Sequence, residues 1–243
     1  MTNPSDDLFR YLKQQIQMYG TQTYAVHCEQ APTVVSSESM PYLAEPSTMQ
    51  TTSVDPNWNA SSTLELLQGA IHTCTNCALG STRTNFVFGS GSAHAKLMVI
   101  GEAPGADEDE QGLPFVGRAG QLLTKILESI SLSRDEVYIC NILKCRPPNN
   151  RKPLISETDQ CEPYLWKQID LVKPKFILAL GLTAANTLLK NKESMTNLRG
   201  TTHYYQGIQT LVTYHPAALL RNPEWKKLAW EDMKFLRNLL DAL

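Results

Sequence analysis

The chain has 243 residues, 42% of them apolar, with 22 basic and 24 acidic side chains and a formal charge of −2. That is material for one full-sized core and an extension, and the charge excludes a binder driven by a large net positive field. No apolar run approaches the roughly 20 residues of a membrane span, and six cysteines are too few for a disulfide scaffold of this length, so their clustering points to reduced thiols or metal ligands.

In chain order, Ser5 followed by Leu8, Leu12 and Ile16 predicts a capped N-terminal helix over 1–20, ended by Gly20. Residues 21–62 read as a flexible linker, because the Ser, Thr, Pro and Asn content of 31–62 offers too little apolar surface to offset ordering. From about Thr63 short apolar runs alternate with amphipathic stretches, the signature of βαβ units and a largely parallel sheet, so 63–243 is the expected catalytic domain. Strands are predicted at 96–101 (KLMVIG), 137–142 (VYICNI), 175–181 (KFILALG) and 209–214 (QTLVTY), and helices near 119–131, 156–172, 183–189 and 224–240. Ligands in such sheets sit beyond the carboxyl ends of the strands, so chemistry is sought in the residues that follow them.

The first strand runs into Gly101, Glu102, Ala103, Pro104 and Gly105, then an acidic run from Asp107 to Glu110, then Pro114, Phe115, Val116, Gly117 and Arg118. Glycines let a backbone approach a ligand closely, and Phe115 offers either core packing or a flat face for a base. The acidic run reads equally as a solvated loop. Asn141 ends the second strand with an amide able to read the Watson–Crick edge of a base, or to cap a turn. The last strand ends in Tyr214, His215 and Pro216, and Leu219 with Leu220 before Arg221 suits an apolar wedge beside a phosphate contact, or a hydrophobic anchor at a helix start.

Cys74 and Cys77 form a C-x-x-C, and Cys145 and Cys161 complete a possible four-thiolate site; spacing alone leaves zinc and iron–sulfur both open. Cys28 and Cys140 are not the expected ligands, Cys140 because a thiol inside a strand serves as a small apolar residue. Between the last two ligands, Lys144, Arg146, Arg151 and Lys152 on a proline-rich loop form a candidate phosphate-binding surface, and Arg118 is a further candidate contact.

Taken together, GEAPGADEDEQGLPFVGRAGQLL, YICNILKCRPPNNRKP and TYHPAALLRNP, with the four cysteines, closely resemble the family 4 uracil-DNA glycosylases from about Cys74 to the C-terminus. The resemblance implies a three-layer α/β/α sandwich around a four-stranded parallel sheet and a structural [4Fe-4S] cluster on Cys74, Cys77, Cys145 and Cys161. By motif position it makes Glu102, Glu108, Phe115, Asn141 and His215 resemble the uracil-pocket residues and the Leu219 region the segment that enters the duplex. The expected sites are then Phe115, Asn141, Gly101, Ala103 and Gly105 for uracil, Glu102, His215 and Glu108 for catalysis, and Arg118, Arg146, Arg151, Leu219 and Arg221 for DNA. Uracil-containing DNA, single- or double-stranded, is the implied partner of a monomer in the cytoplasm, at the bacterial nucleoid, with no signal or membrane segment. Two positions depart from the better-known family 1 pattern. Ala103 stands where family 1 carries a water-activating aspartate, and Gly105 where it carries a tyrosine that excludes thymine, which leaves thymine exclusion to another group such as Glu108. Ser90 and Ser92 depart from the family 4 pattern itself.

Three rival readings follow from the same residues: a DNA-binding module without chemistry, a glycosylase trapped covalently on its product, and a nucleotide-binding α/β enzyme. The second lacks a histidine in the stretch 146–153, and the third lacks a G-x-G-x-x-G or a P-loop.

Overall fold

A computed structural model describes residues 54–243, so the predicted helix over 1–20 and most of the linker lie outside the described residues. The end of that linker is not free chain. Val54 and Trp58 pack against the core, Trp58 edge-on to Tyr164 with centroids 4.9 Å apart, and Asp55 donates its backbone N–H to the Ala70 carbonyl. Apolar burial by these two side chains offsets the ordering cost that the polar composition of 31–62 suggested could not be met.

Six strands form one sheet: β1 (Ser90–Gly91), β2 (Leu97–Gly101), β3 (Tyr138–Asn141), β4 (Phe176–Leu180), β5 (His203–Tyr205) and β6 (Ile208–Thr213). Their spatial order is β1-β3-β2-β4-β6-β5. The four predicted strands are the central ones and all pair in parallel, as a three-layer α/β fold requires; β1 and β5 add antiparallel edges that the sequence reading lacked.

The helices are α1 (Leu64–Ile71), α2 (Ala106–Gln111), α3 (Arg118–Glu128), α4 (Ile155–Val172), α5 (Leu182–Leu189), α6 (Met195–Leu198), α7 (Pro216–Arg221) and α8 (Lys226–Asp241). Thr63 begins α1 by accepting the Leu66 N–H on its hydroxyl, a side-chain N-cap. Side chains alternate across a strand, and here both faces are covered. Met98, Ile100, Tyr138, Cys140, Ile177, Ala179 and Val212 meet α1, α4 and α5 on one side, whereas Leu97, Val99, Ile139, Phe176, Leu178 and Leu211 meet α3 and α8 on the other. Burial on both faces is why the strands read as continuous apolar runs.

The order in which strands are added reverses between the parallel neighbours β2 and β4. The connection from β2 leads out to β3, and that from β4 leads out to β6. This is the switch point at which a parallel sheet opens a crevice above its carboxyl edge. Register brings the strand ends level, pairing Gly101 with Asn141 and Leu180 with Thr213, so the residues after them share one rim.

Candidate active site

A cavity of about 570 Å³ opens on that rim. Its wall takes Glu102, Ala103, Gly105, Glu108, Phe115 and Asn141 from the first two strand ends, and Tyr214, His215 and Arg221 from the last. Arg151 reaches it from the basic loop.

Gly101 stands behind the wall and explains why the site is tight. A Cβ there would lie 2.3 Å from Asn141 Oδ1 and 2.6 Å from Phe115 Cζ, so the missing side chain lets amide and ring converge. Asn141 is 1% exposed, and its Oδ1 is buried without a hydrogen-bond partner. A buried acceptor left unpaired costs on the order of 1–3 kcal/mol unless something supplies a donor. Phe115 adopts φ 54°, the left-handed region a bulky residue avoids. The turn is clamped by Arg134, whose Nη2 donates to the Pro114 carbonyl at 2.9 Å and whose Nη1 donates to the Phe115 carbonyl at 3.1 Å. Gly120 permits this turn to pack, since a Cβ there would stand 1.8 Å from the same Phe115 oxygen.

His215 caps α7, and its Nδ1 accepts the Ala217 N–H at 3.1 Å. That bond leaves the proton of a neutral ring on Nε2. Burial first, and then the Arg221 charge, hold the imidazole down to about 4, so the ring is neutral near pH 7. Its plane is tilted 32° to that of Phe115, with centroids 5.6 Å apart. Glu102 differs in kind: burial raises its carboxyl above the ordinary carboxylate value, while a hydrogen bond from Thr183 and the Lys152 charge pull the other way.

Glu108 is fully engaged. Its Oε2 accepts the Gly105 N–H at 3.0 Å, and its Oε1 accepts those of Val116 and Gly117 at 2.9 and 3.1 Å. A carboxylate bonded to three backbone donors ties the two halves of the loop together, so Glu108, a candidate catalytic group, shapes the loop that carries Phe115. Leu219, the wedge candidate, does not face out. At 1% exposure it packs inward with Pro216, three residues earlier on the same helix face, and the exposed neighbour at 38% is Leu220.

Of the remaining basic candidates, Arg221 is exposed at the cavity mouth, and Arg118 is exposed on the first turn of α3, outside the wall. Arg146 Nε donates to Asn150 Oδ1 at 2.8 Å, and Arg151 is paired with the buried Glu157 through both guanidinium nitrogens, at 2.9 and 2.5 Å. Sequence reasoning passed over Thr183, Arg134 and Trp225. Thr183 follows a strand end and was within reach of the rule that ligands gather there; Arg134 sits in a loop, 19 residues from the turn it holds, and carries no such signal.

The cysteines form a second site. Cys74, Cys145 and Cys161 are buried and Cys77 half-buried. Donors point at their sulfurs: Tyr164 Oη to Cys74 at 3.2 Å, the Lys144 N–H to Cys161 at 3.3 Å and Arg83 Nη1 to Cys145 at 3.4 Å. Burial pushes Cys145 up to about 11 and Cys161 up to about 12, and neighbouring thiols add to both shifts, Cys77 and Cys74 acting on Cys145, and Cys145 and Cys74 on Cys161. Among the described residues no three His, Cys, Asp or Glu side chains are placed to hold a single metal ion. A thiol-only donor set with N–H and O–H groups aimed at sulfur fits a cluster whose positive charge would hold the thiolates in a buried place.

Residues 88–234 match the model of the uracil DNA glycosylase superfamily, more than half the chain. A Type-4 uracil-DNA glycosylase of Sulfurisphaera tokodaii is 43% identical over 72% of this chain and 84% of its own. Enzymes of the same description from Thermotoga maritima and Pyrobaculum aerophilum are 40% and 45% identical, over 73% and 66% of this chain and 94% and 86% of theirs. The chain belongs to the type-4 uracil-DNA glycosylases. Within this glycosylase the superfamily match runs from just before β1 into α8 and so takes in the whole cavity rim, while Cys74 and Cys77 precede it.

Proposed function

We propose that the cavity receives a uracil everted from DNA and that Phe115, Asn141, His215 and Glu102 divide the work of cutting its bond to deoxyribose. Excision of uracil from DNA, a repair reaction, is the activity of the type-4 glycosylases. A stacked base cannot enter such a cavity, so the nucleotide must leave the stack at a cost of a few kcal/mol. The exposed Leu220 and Arg221, at the far end of α7, are the groups that offset it, by filling the gap and by contacting phosphate.

One observation carries the reading: the buried, unpartnered Oδ1 of Asn141 close to the Phe115 ring. Uracil presents N3–H to such an acceptor. Cytosine presents a lone pair there and is refused, because both groups would then be acceptors. Phe115 stacks on the ring. As the C1′–N1 bond breaks, both electrons leave with the base and gather at its O2, and the sugar becomes cationic. Nε2–H of the neutral His215 donates to that oxygen, a preplaced donor of the kind typically worth about 3 kcal/mol. Glu102, as carboxylate, balances the sugar charge and orients the water that adds at C1′, and the proton this water gives up neutralises the departing uracil anion.

Cys74, Cys77, Cys145 and Cys161 would hold a [4Fe-4S] cluster, which supplies a covalent cross-link between their segments and takes no part in cleaving the base. Iron and sulfide analysis with a visible absorption spectrum tests it; zinc without iron would replace it.

The test of activity is release of free uracil from a uracil-containing oligonucleotide, followed by alkali to cut the abasic site. His215→Ala is expected to slow single-turnover excision by roughly 10²–10³-fold while DNA binding persists. No uracil released by the wild-type protein would overturn the reading, and near-normal excision by the variant would remove the histidine from it.

A further inference from the structure

The cavity is larger than one pyrimidine requires; about 570 Å³ is the size of a site for a drug-like ligand. Its mouth contains an aromatic pair that the excision chemistry leaves unused. Tyr214, the residue before His215, stacks on Trp225 with ring centroids 4.8 Å apart and planes 25° from parallel. The guanidinium of Arg199 lies over the Tyr214 ring at 5.1 Å from its centroid. Tyr214 therefore packs against both an indole and a guanidinium. Arg199 is itself fixed, with Nε and Nη2 each 2.8 Å from a carboxylate oxygen of the buried Asp232, which also accepts the Thr213 hydroxyl at 2.7 Å. The pair is thus rigid from below, and half-buried Trp225 turns toward the cavity beside Arg221.

We propose that Trp225 is a stacking subsite for the nucleobase adjacent to the everted uracil in single-stranded DNA. This deepens the function proposed above and rests on it. An indole face fixed in place takes any base, since every base has a π-face, and a cation beside it meets the backbone. In a duplex the flanking bases remain stacked on their own neighbours and have no face to offer. In a single strand the neighbour is unpaired, and the platform replaces stacking that the strand gives up on everting its uracil. Trp225 therefore sets the balance between single- and double-stranded substrates.

The experiment is a cycle between protein and substrate. Wild type, Trp225→Leu and Trp225→Phe are assayed for kcat/KM on single- and double-stranded uracil oligonucleotides, and on single strands whose base on the 5′ or 3′ side of uracil is replaced by an abasic analogue. The ratio of single- to double-strand kcat/KM is expected to fall roughly tenfold in Trp225→Leu and to stay near wild type in Trp225→Phe. Removing one flanking base should slow the wild type by a similar factor and Trp225→Leu by far less. Each ratio is taken within one protein, so a destabilised variant is still informative. An unchanged strand ratio in Trp225→Leu, or an equal loss from the abasic neighbour in both proteins, overturns the subsite and leaves excision standing. Failure of the wild type to release uracil from any substrate would instead overturn the underlying reading.

Discussion

Two ionisable groups line the cavity with opposite displacements, and this sets the pH behaviour. His215 stays neutral down to about pH 4, so the usual histidine titration near 6.5 should be missing from the rate profile. Glu102 must be ionised to act, and burial raises its value. Excision should therefore fall as pH drops through a midpoint above the ordinary carboxylate value, and Glu102→Gln should abolish that limb together with most of the rate. A limb near pH 6.5 that survives Glu102→Gln would assign it to the imidazole instead. At this scale much was legible, because Glu102, Asn141 and His215 each sit at a strand end that hydropathy located. The loop-tying bonds of Glu108 were not legible: sequence shows a carboxylate but not the three backbone N–H groups that donate to it.

Helix α7 combines two duties on two faces. His215 and Pro216 start it, Pro216 and Leu219 turn into the protein, and Leu220 and Arg221 turn out. Leu219→Ala should destabilise the fold by about 2–5 kcal/mol in urea titration, as a buried leucine does. Leu220→Ala should leave the urea midpoint nearly unchanged and slow excision from duplex DNA more than from single strands, where no gap needs filling. The reverse pattern would restore Leu219 as the wedge. Six residues give less than two helical turns, too short a period for sequence to say which leucine faces in. The edge strands were missed for a related reason, since Ser90–Gly91 and His203–Tyr205 have no apolar alternation to mark them.

At the scale of the whole molecule the cysteines draw together parts distant in sequence: the turn after α1, the loop after β3 and the first half of α4. That loop also carries Arg146 and Arg151. Cys145→Ser should abolish visible absorption, lower the melting temperature and weaken binding to DNA at moderate salt, with a smaller effect on cleavage once substrate saturates. Equal melting curves for wild type and variant would show that the site bears no structural role. The three-layer plan was legible because buried parallel strands announce themselves as apolar runs, whereas the packing of Val54 and Trp58 was hidden within a polar stretch.

The sheet finishes on strands of two and three residues, both running against their neighbours. A border so brief leaves few unpaired peptide groups in a row and gives a passing polypeptide little to zip onto. Along that margin a second copy of the sheet would find little backbone to pair with, and the edge needs no charged or proline guard.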